Sequence, residues 1–139
     1  MGKRKSLTLT ALITAFTACF MAATAYAEQL NGEQVSALLS GKTSYAYHDF
    51  KDFDIDTYFA PDGSVISIRN GEKHTGKWRV ESNGNHCVRL NDPYSGEPKK
   101  EHCRFIENND GTYTRIKVKR NGKRIPIITY KRFADGNTL

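Results

Sequence analysis

The sequence predicts a mainly β protein: an antiparallel meander of about eight short strands, forming a small closed or partly closed barrel behind one short N-terminal helix. Three observations carry this. From Thr43 onward apolar residues recur with a period of two, the spacing of a half-buried strand. Turn signals such as Pro61-Asp62-Gly63, Asn70-Gly71 and Asn121-Gly122 break the pattern at short intervals. No helical stretch lies between the strands, so neighbours pair antiparallel through hairpins. Eight strands are enough to close a barrel and remove exposed edges; a two-sheet sandwich is the alternative.

The first segment reads as a leader rather than as part of this domain. Lys3-Arg4-Lys5 is a charged start, Leu7 to Ala23 is uncharged and apolar or small, and Ala25-Tyr26-Ala27 is a small-x-small cleavage site. Residues 1–27 are expected to be a signal peptide and 28–139 a single β-rich domain. A membrane anchor fits less well, because the run is rich in Thr and Ala and ends without a basic stop. No membrane span is expected to remain after cleavage. Lipidation at Cys19 has weak support, since Phe16-Thr17-Ala18 only loosely resembles a lipobox. The expected destination is the periplasm or the outside of a bacterial cell. Removing the leader leaves two cysteines, Cys87 and Cys103. An even count in an oxidising compartment predicts one disulfide between them.

The elements follow in order. Asn31 is a helix N-cap, Glu33 and Gln34 sit in the first turn, and Val35, Leu38 and Leu39 make an i, i+3, i+4 stripe ending at Gly41. Strands are predicted over 43–48, 54–59, 64–69, 75–80, 86–90, 99–106, 112–120 and 123–133. Phe53, Ile55, Thr57 and Phe59 share one face; Ile66 and Ile68, then Trp78 and Val80, are placed inward; Val88 and Leu90 share a face with His86. At Asn121-Gly122 a two-residue loop pairs Val118 with Ile125, Ile116 with Ile127, Lys119 with Arg124 and Arg120 with Lys123. That register turns Ile116 and Val118 inward and Arg115, Lys117 and Lys119 outward.

The ordered set Leu38-Leu39-Ser40-Gly41-Lys42-Thr43, Tyr58-Phe59-Ala60-Pro61-Asp62-Gly63, Gly76-Lys77-Trp78, Cys87, Cys103 and Gly136-Asn137 resembles a family of small secreted proteobacterial proteins of unknown function. The resemblance implies a small, β-rich, lipocalin-like domain with one disulfide. It supplies no activity and no catalytic residues.

Charge is unevenly spread. Residues 28–114 carry a net −4, whereas residues 115–139 carry a net +7. The cations crowd the last hairpin, and Arg115, Lys117, Lys119, Arg120, Lys123 and Arg124 are the candidate anion-binding residues. A solvated, aggregation-resistant hairpin is the simpler reading of the same cluster. His86 and His102 each precede a cysteine and are minor metal-ligand candidates. Strand geometry opposes a joint His-Cys site, because adjacent residues point to opposite faces. Asp52, Asp54 and Asp56 have the opening spacing of a calcium loop but lack its glycine and glutamate, and read as a solvated strand face. No catalytic motif stands out and no cofactor is expected.

The expected function is therefore an exported, non-enzymatic binding module. Its partner is either a small apolar ligand in the barrel interior or an acidic protein or lipid surface at the last hairpin. An inhibitor or interaction domain acting on a secreted hydrolase is the alternative, with the 91–98 loop and Tyr94 as its anchor. Nucleic acid is not an expected partner.

Overall fold

The computed structural model describes Gly2 and residues 27–139. Apart from Gly2 and Ala27, the expected leader, Cys19 included, lies outside the described residues. The helix forms as expected: α1 (Gly32–Leu39) opens on a capping box in which the Asn31 side chain accepts from the Gln34 backbone N–H, 2.9 Å, and the Gln34 side chain accepts from the Asn31 N–H, 2.8 Å. Val35 and Leu39 are fully buried. An eight-residue helix is marginal alone in water, so this burial is what holds it.

A two-residue strand, β1 (Glu28–Gln29), precedes the helix; eight strands follow it: β2 (Lys42–His48), β3 (Phe53–Phe59), β4 (Ser64–Arg69), β5 (Glu72–Val80), β6 (His86–Leu90), β7 (His102–Asn109), β8 (Thr112–Val118) and β9 (Arg124–Asp135). Their order is β7-β6-β5-β4-β3-β2-β9-β8, and a β7–β8 pairing closes the ring into an eight-stranded antiparallel barrel. β1 pairs with β7 beyond the end of β6. The sequence pattern missed β1 because two residues carry no period. β7 also begins later than the alternation suggested and runs on to Asn109.

The helix covers one end of the barrel. Val35 and Leu39 join Leu30, Phe59, Val65, Trp78 and Ile106 in one core. The close fit there depends on Gly84, at φ +93°. A Cβ at that position would stand 2.0 Å from the Leu30 carbonyl oxygen. Only glycine permits both the left-handed backbone and that approach. Phe59, Trp78 and His86 meet edge-on, with centroids 5.2–6.1 Å apart. Cys87 and Cys103 are direct cross-strand partners and form the disulfide, S–S 2.07 Å.

Two face assignments are corrected. In β4 the buried side chains are Val65 and Ser67; Ile66 and Ile68 are half-buried on the other face. In the last hairpin the loop has three residues, Arg120-Asn121-Gly122. The Lys119 N–H donates to the Lys123 carbonyl, 2.9 Å, and Gly122 takes φ +80°. Val118 therefore faces Arg124, Lys117 faces Ile125 and Ile116 faces Pro126. A bulge that leaves Ile127 unpaired then brings Arg115 opposite Ile128. The expected pairs Val118–Ile125, Ile116–Ile127, Lys119–Arg124 and Arg120–Lys123 do not form.

Candidate functional site

The direction in which β8 faces has a chemical consequence. Arg115, Lys117 and Lys119 do share one face, but that face lines the barrel end opposite the helix. Val118 is turned to solvent, 41 % exposed. At Arg115 and Val118 the usual rule, apolar in and charged out, is reversed, while Ile116 between them stays buried, 1 % exposed. Local reversals of this kind are where functional sites are found.

That end opens into a cavity of about 830 Å³. Cations reach it from five strands or their flanking loops: Lys51, Arg69, Lys99, Lys100, Arg104, Arg115, Lys117 and Lys119. Glu72 is the single carboxylate on the lining, and it is held by His74 at 3.2 Å. Lys99 is paired with Asp92, 3.2 Å. Among the described residues no carboxylate pairs with Arg69, Arg104 or Arg115.

Arg115 is the unusual member, being only 7 % exposed. Its Nη2 donates to the carbonyl oxygens of His86, 3.1 Å, and His102, 2.9 Å. Its Nε–H has no partner. Burial lowers its pKa to about 10, with Arg69 and Arg104 adding repulsion and Tyr130 opposing it. It remains a cation at neutral pH. Arg69 donates from Nε to Ser67 Oγ, 3.1 Å, and Ser67 meets Thr57 Oγ1 at 2.9 Å. The positive field reaches the histidines as well. His48 is held below its ordinary range by burial, then by Lys51 and Arg69. His102 is lowered by burial, then by Arg104, Arg115, Lys100 and Arg69.

Beneath this floor the barrel is filled. A second space of about 20 Å³ lies between Ser44, Thr57, Ser67, His86, Arg115 and Tyr130. It is sized for one water molecule, not for an apolar ligand. The room for a ligand is at the mouth.

The other candidates fall into place around this. Arg120 and Lys123 are exposed at the hairpin tip. Arg124 is committed elsewhere, pairing with Glu107 and donating to Gln29 Oε1 at 2.7 Å. His86 and His102 are not partners: His86 lies opposite Arg104 and is buried, while His102 lies opposite Val88 and is exposed at the mouth. Glu81 approaches Cys87 and Cys103, but their sulfurs are bonded to each other and are not free thiolates. Asp54 stands on an outer face with Lys131 at 2.6 Å. Sequence reasoning missed Arg69 and Arg104, which are far apart in the chain and reach one cavity only in the barrel. The signal for Arg69 is the Val65, Ser67, Arg69 face of β4, which is less apolar than the Ile66 and Ile68 face.

His86 gives a testable pH dependence. Both ring nitrogens are buried without partners, and burial, then Arg115, holds its pKa well below its ordinary value. The unfolded chain protonates this ring near pH ~6.5. Below that pH the unfolded state binds more protons than the folded state, so stability falls on acidification, by at most about 1.4 kcal/mol per pH unit for one group. His86→Leu should flatten the loss between about pH 6.5 and 5 in urea unfolding. An unchanged slope would mean that His86 does not drive it.

No protein-family model matches the chain, and no curated protein matches it. The site must be read from its own chemistry. Among the described residues no helix is long and apolar enough to cross a membrane.

Proposed function

We propose that this chain is an exported, non-enzymatic binding module that captures an anionic ligand in the open mouth of its barrel. The observation that carries the reading is Arg115: a buried, charged guanidinium with an unpartnered Nε–H, on the floor of a cavity where Arg69 and Arg104 also lack carboxylates. Burying such a charge costs several kcal/mol when nothing opposite pairs with it. An arriving anion supplies the missing charge and accepts the free N–H. The lysines at the rim raise the local concentration of anions and speed their arrival. The disulfide supports export, and the resemblance to small secreted lipocalin-like proteins points the same way.

Isothermal titration against a panel of carboxylates and phosphates, at low and at high salt, tests this. The expected result is saturable 1:1 binding by at least one anion, with an affinity that falls as salt rises but is not lost, because the buried Arg115 is screened less than the exposed rim lysines. Absence of binding by every anion at low salt would overturn it.

A specific observation favours the inhibitor reading as a second possibility. Tyr94 is 88 % exposed on a loop whose backbone is braced by Asp92, which accepts from the Tyr94 and Ser95 N–H groups at 3.0 Å. A rigid loop presenting one aromatic side chain suits a protein partner. Because Tyr94 also bonds Glu72 on the cavity lining, two variants separate the readings: Tyr94→Ala should weaken a protein complex more than anion capture, and Arg115→Met should do the opposite.

A further inference from the structure

We infer that the ligand is amphipathic: one oxyanion headgroup, carboxylate or phosphate, on an extended apolar body, bound with the headgroup innermost. This rests on the reading of the mouth as an anion site and deepens it. The buried, unpartnered charge is confined to the floor, where Arg115 and Arg69 line both the mouth and the small space beneath it. The walls above are not uniformly polar. Phe53, Leu90, Ile125 and Ile127 line the same cavity and are each half-buried, and Phe50 at its lip is 68 % exposed. The bulge in β9 is what makes this wall. Its extra residue, Ile127, breaks the alternation so that Ile125, Ile127 and Ile128 all line the cavity.

A small hydrophilic polyanion would satisfy the arginines and leave this apolar wall wet. A neutral apolar molecule would cover the wall and leave Arg115 without its counter-charge, in a place where bulk water cannot solvate it fully. A headgroup on an apolar body does both. The cavity volume lies in the range that holds such molecules. The rim lysines fit the same occupant, because their methylene stems extend an apolar wall while their ammonium groups stay in water.

The test is a chain-length series measured by calorimetry on the disulfide-bonded protein: butanoate, octanoate, dodecanoate, dodecyl phosphate, 1-dodecanol and citrate, each below its micelle concentration. Affinity should rise about two- to fourfold per added methylene until the wall is covered. Citrate and 1-dodecanol should bind far more weakly than dodecanoate or dodecyl phosphate, and whichever of those two binds tighter identifies the headgroup. Ile125→Ser should reduce the gain per methylene, so that dodecanoate loses more affinity than butanoate; an equal loss for both would contradict the apolar-wall assignment. If butanoate or citrate binds as tightly as dodecanoate, the amphipathic assignment fails and the anion site stands. If no anion in the series binds, both fail.

Discussion

Replacing Arg115 with methionine is expected to weaken anion capture severely while leaving the barrel as stable as before or more so. The two effects have one cause. In the native protein the guanidinium is buried, its Nη2 bonds the His86 and His102 carbonyls, and its Nε–H is idle. Hydrogen bonds from a charged donor contribute roughly 1.5–3 kcal/mol each, but removing the charge from water costs several kcal/mol. With Arg69 and Arg104 adding repulsion rather than relief, the balance lies near zero or against the charge. Exchanges of buried charge for an apolar side chain of similar volume are commonly neutral or stabilising by about 1–4 kcal/mol. Binding behaves oppositely. Truncating one partner of a desolvated charge pair costs about 2–5 kcal/mol, so affinity should fall by roughly 30- to several thousand-fold. Urea unfolding and calorimetry on the same preparation check both halves. A loss of stability as large as the loss of affinity would assign Arg115 a structural role.

Removing the disulfide is expected to have the larger effect on stability. Cys87 and Cys103 are 16 residues apart in sequence, and a loop of that size predicts about 3 kcal/mol, within the usual 2–5 kcal/mol range. The cross-link also has a local consequence. The carbonyls that hold Arg115 belong to His86 and His102, each one residue before a bonded cysteine. The disulfide therefore fixes the spacing of the two acceptors on β6 and β7. Cys87→Ala with Cys103→Ala should lower the unfolding free energy by that amount and weaken capture, though less than Arg115→Met. Free thiols titrating in the native protein would contradict the pairing on which both statements depend.

Much of the fold was legible because it rests on local chemistry. Asn31 with Gln34 marks a helix start in any context, and Val35 and Leu39 are too apolar to stay exposed. The alternation of Ile55, Thr57 and Phe59 survives into the barrel unchanged. The even cysteine count predicted the bridge. The site was only half legible. Arg115, Lys117 and Lys119 stand at strand spacing, so their common face was readable, but its direction was not. Hydrophobicity argues for Ile116 and Val118 inside; Ile116 is buried, but on the face away from the cavity, and Val118 is exposed. The three-residue β8–β9 loop and the extra residue Ile127 each move the pairing by one and cancel at Arg115, which meets Ile128 as a two-residue loop would also have it. What turns Arg115 inward is its β7 partner Ile106, a core residue on the same face. β4 failed for a related reason. Val65 and Ser67 alternate with Ile66 and Ile68, and the interior takes the serine because Thr57 and Arg69 are there to bond it. Thr57 comes from β3 and leaves no mark on β4 itself, and Arg69, two residues on, reads as an exposed charge until the barrel buries it.

The claim at the centre of this account is that an anion reaches the Arg115 side chain. The most direct measurement is the Nε–H resonance of Arg115 in proton–nitrogen correlation spectra during titration with dodecanoate. The Trp78 indole N–H, bonded to the Ala60 carbonyl at 2.8 Å in the core, serves as an internal control. The expected result is a saturable shift at Arg115, a smaller one at Arg69, and none at Trp78. A titration in which dodecanoate binds and moves Tyr94 or the 120–123 hairpin tip while the Arg115 resonance stays fixed would contradict it.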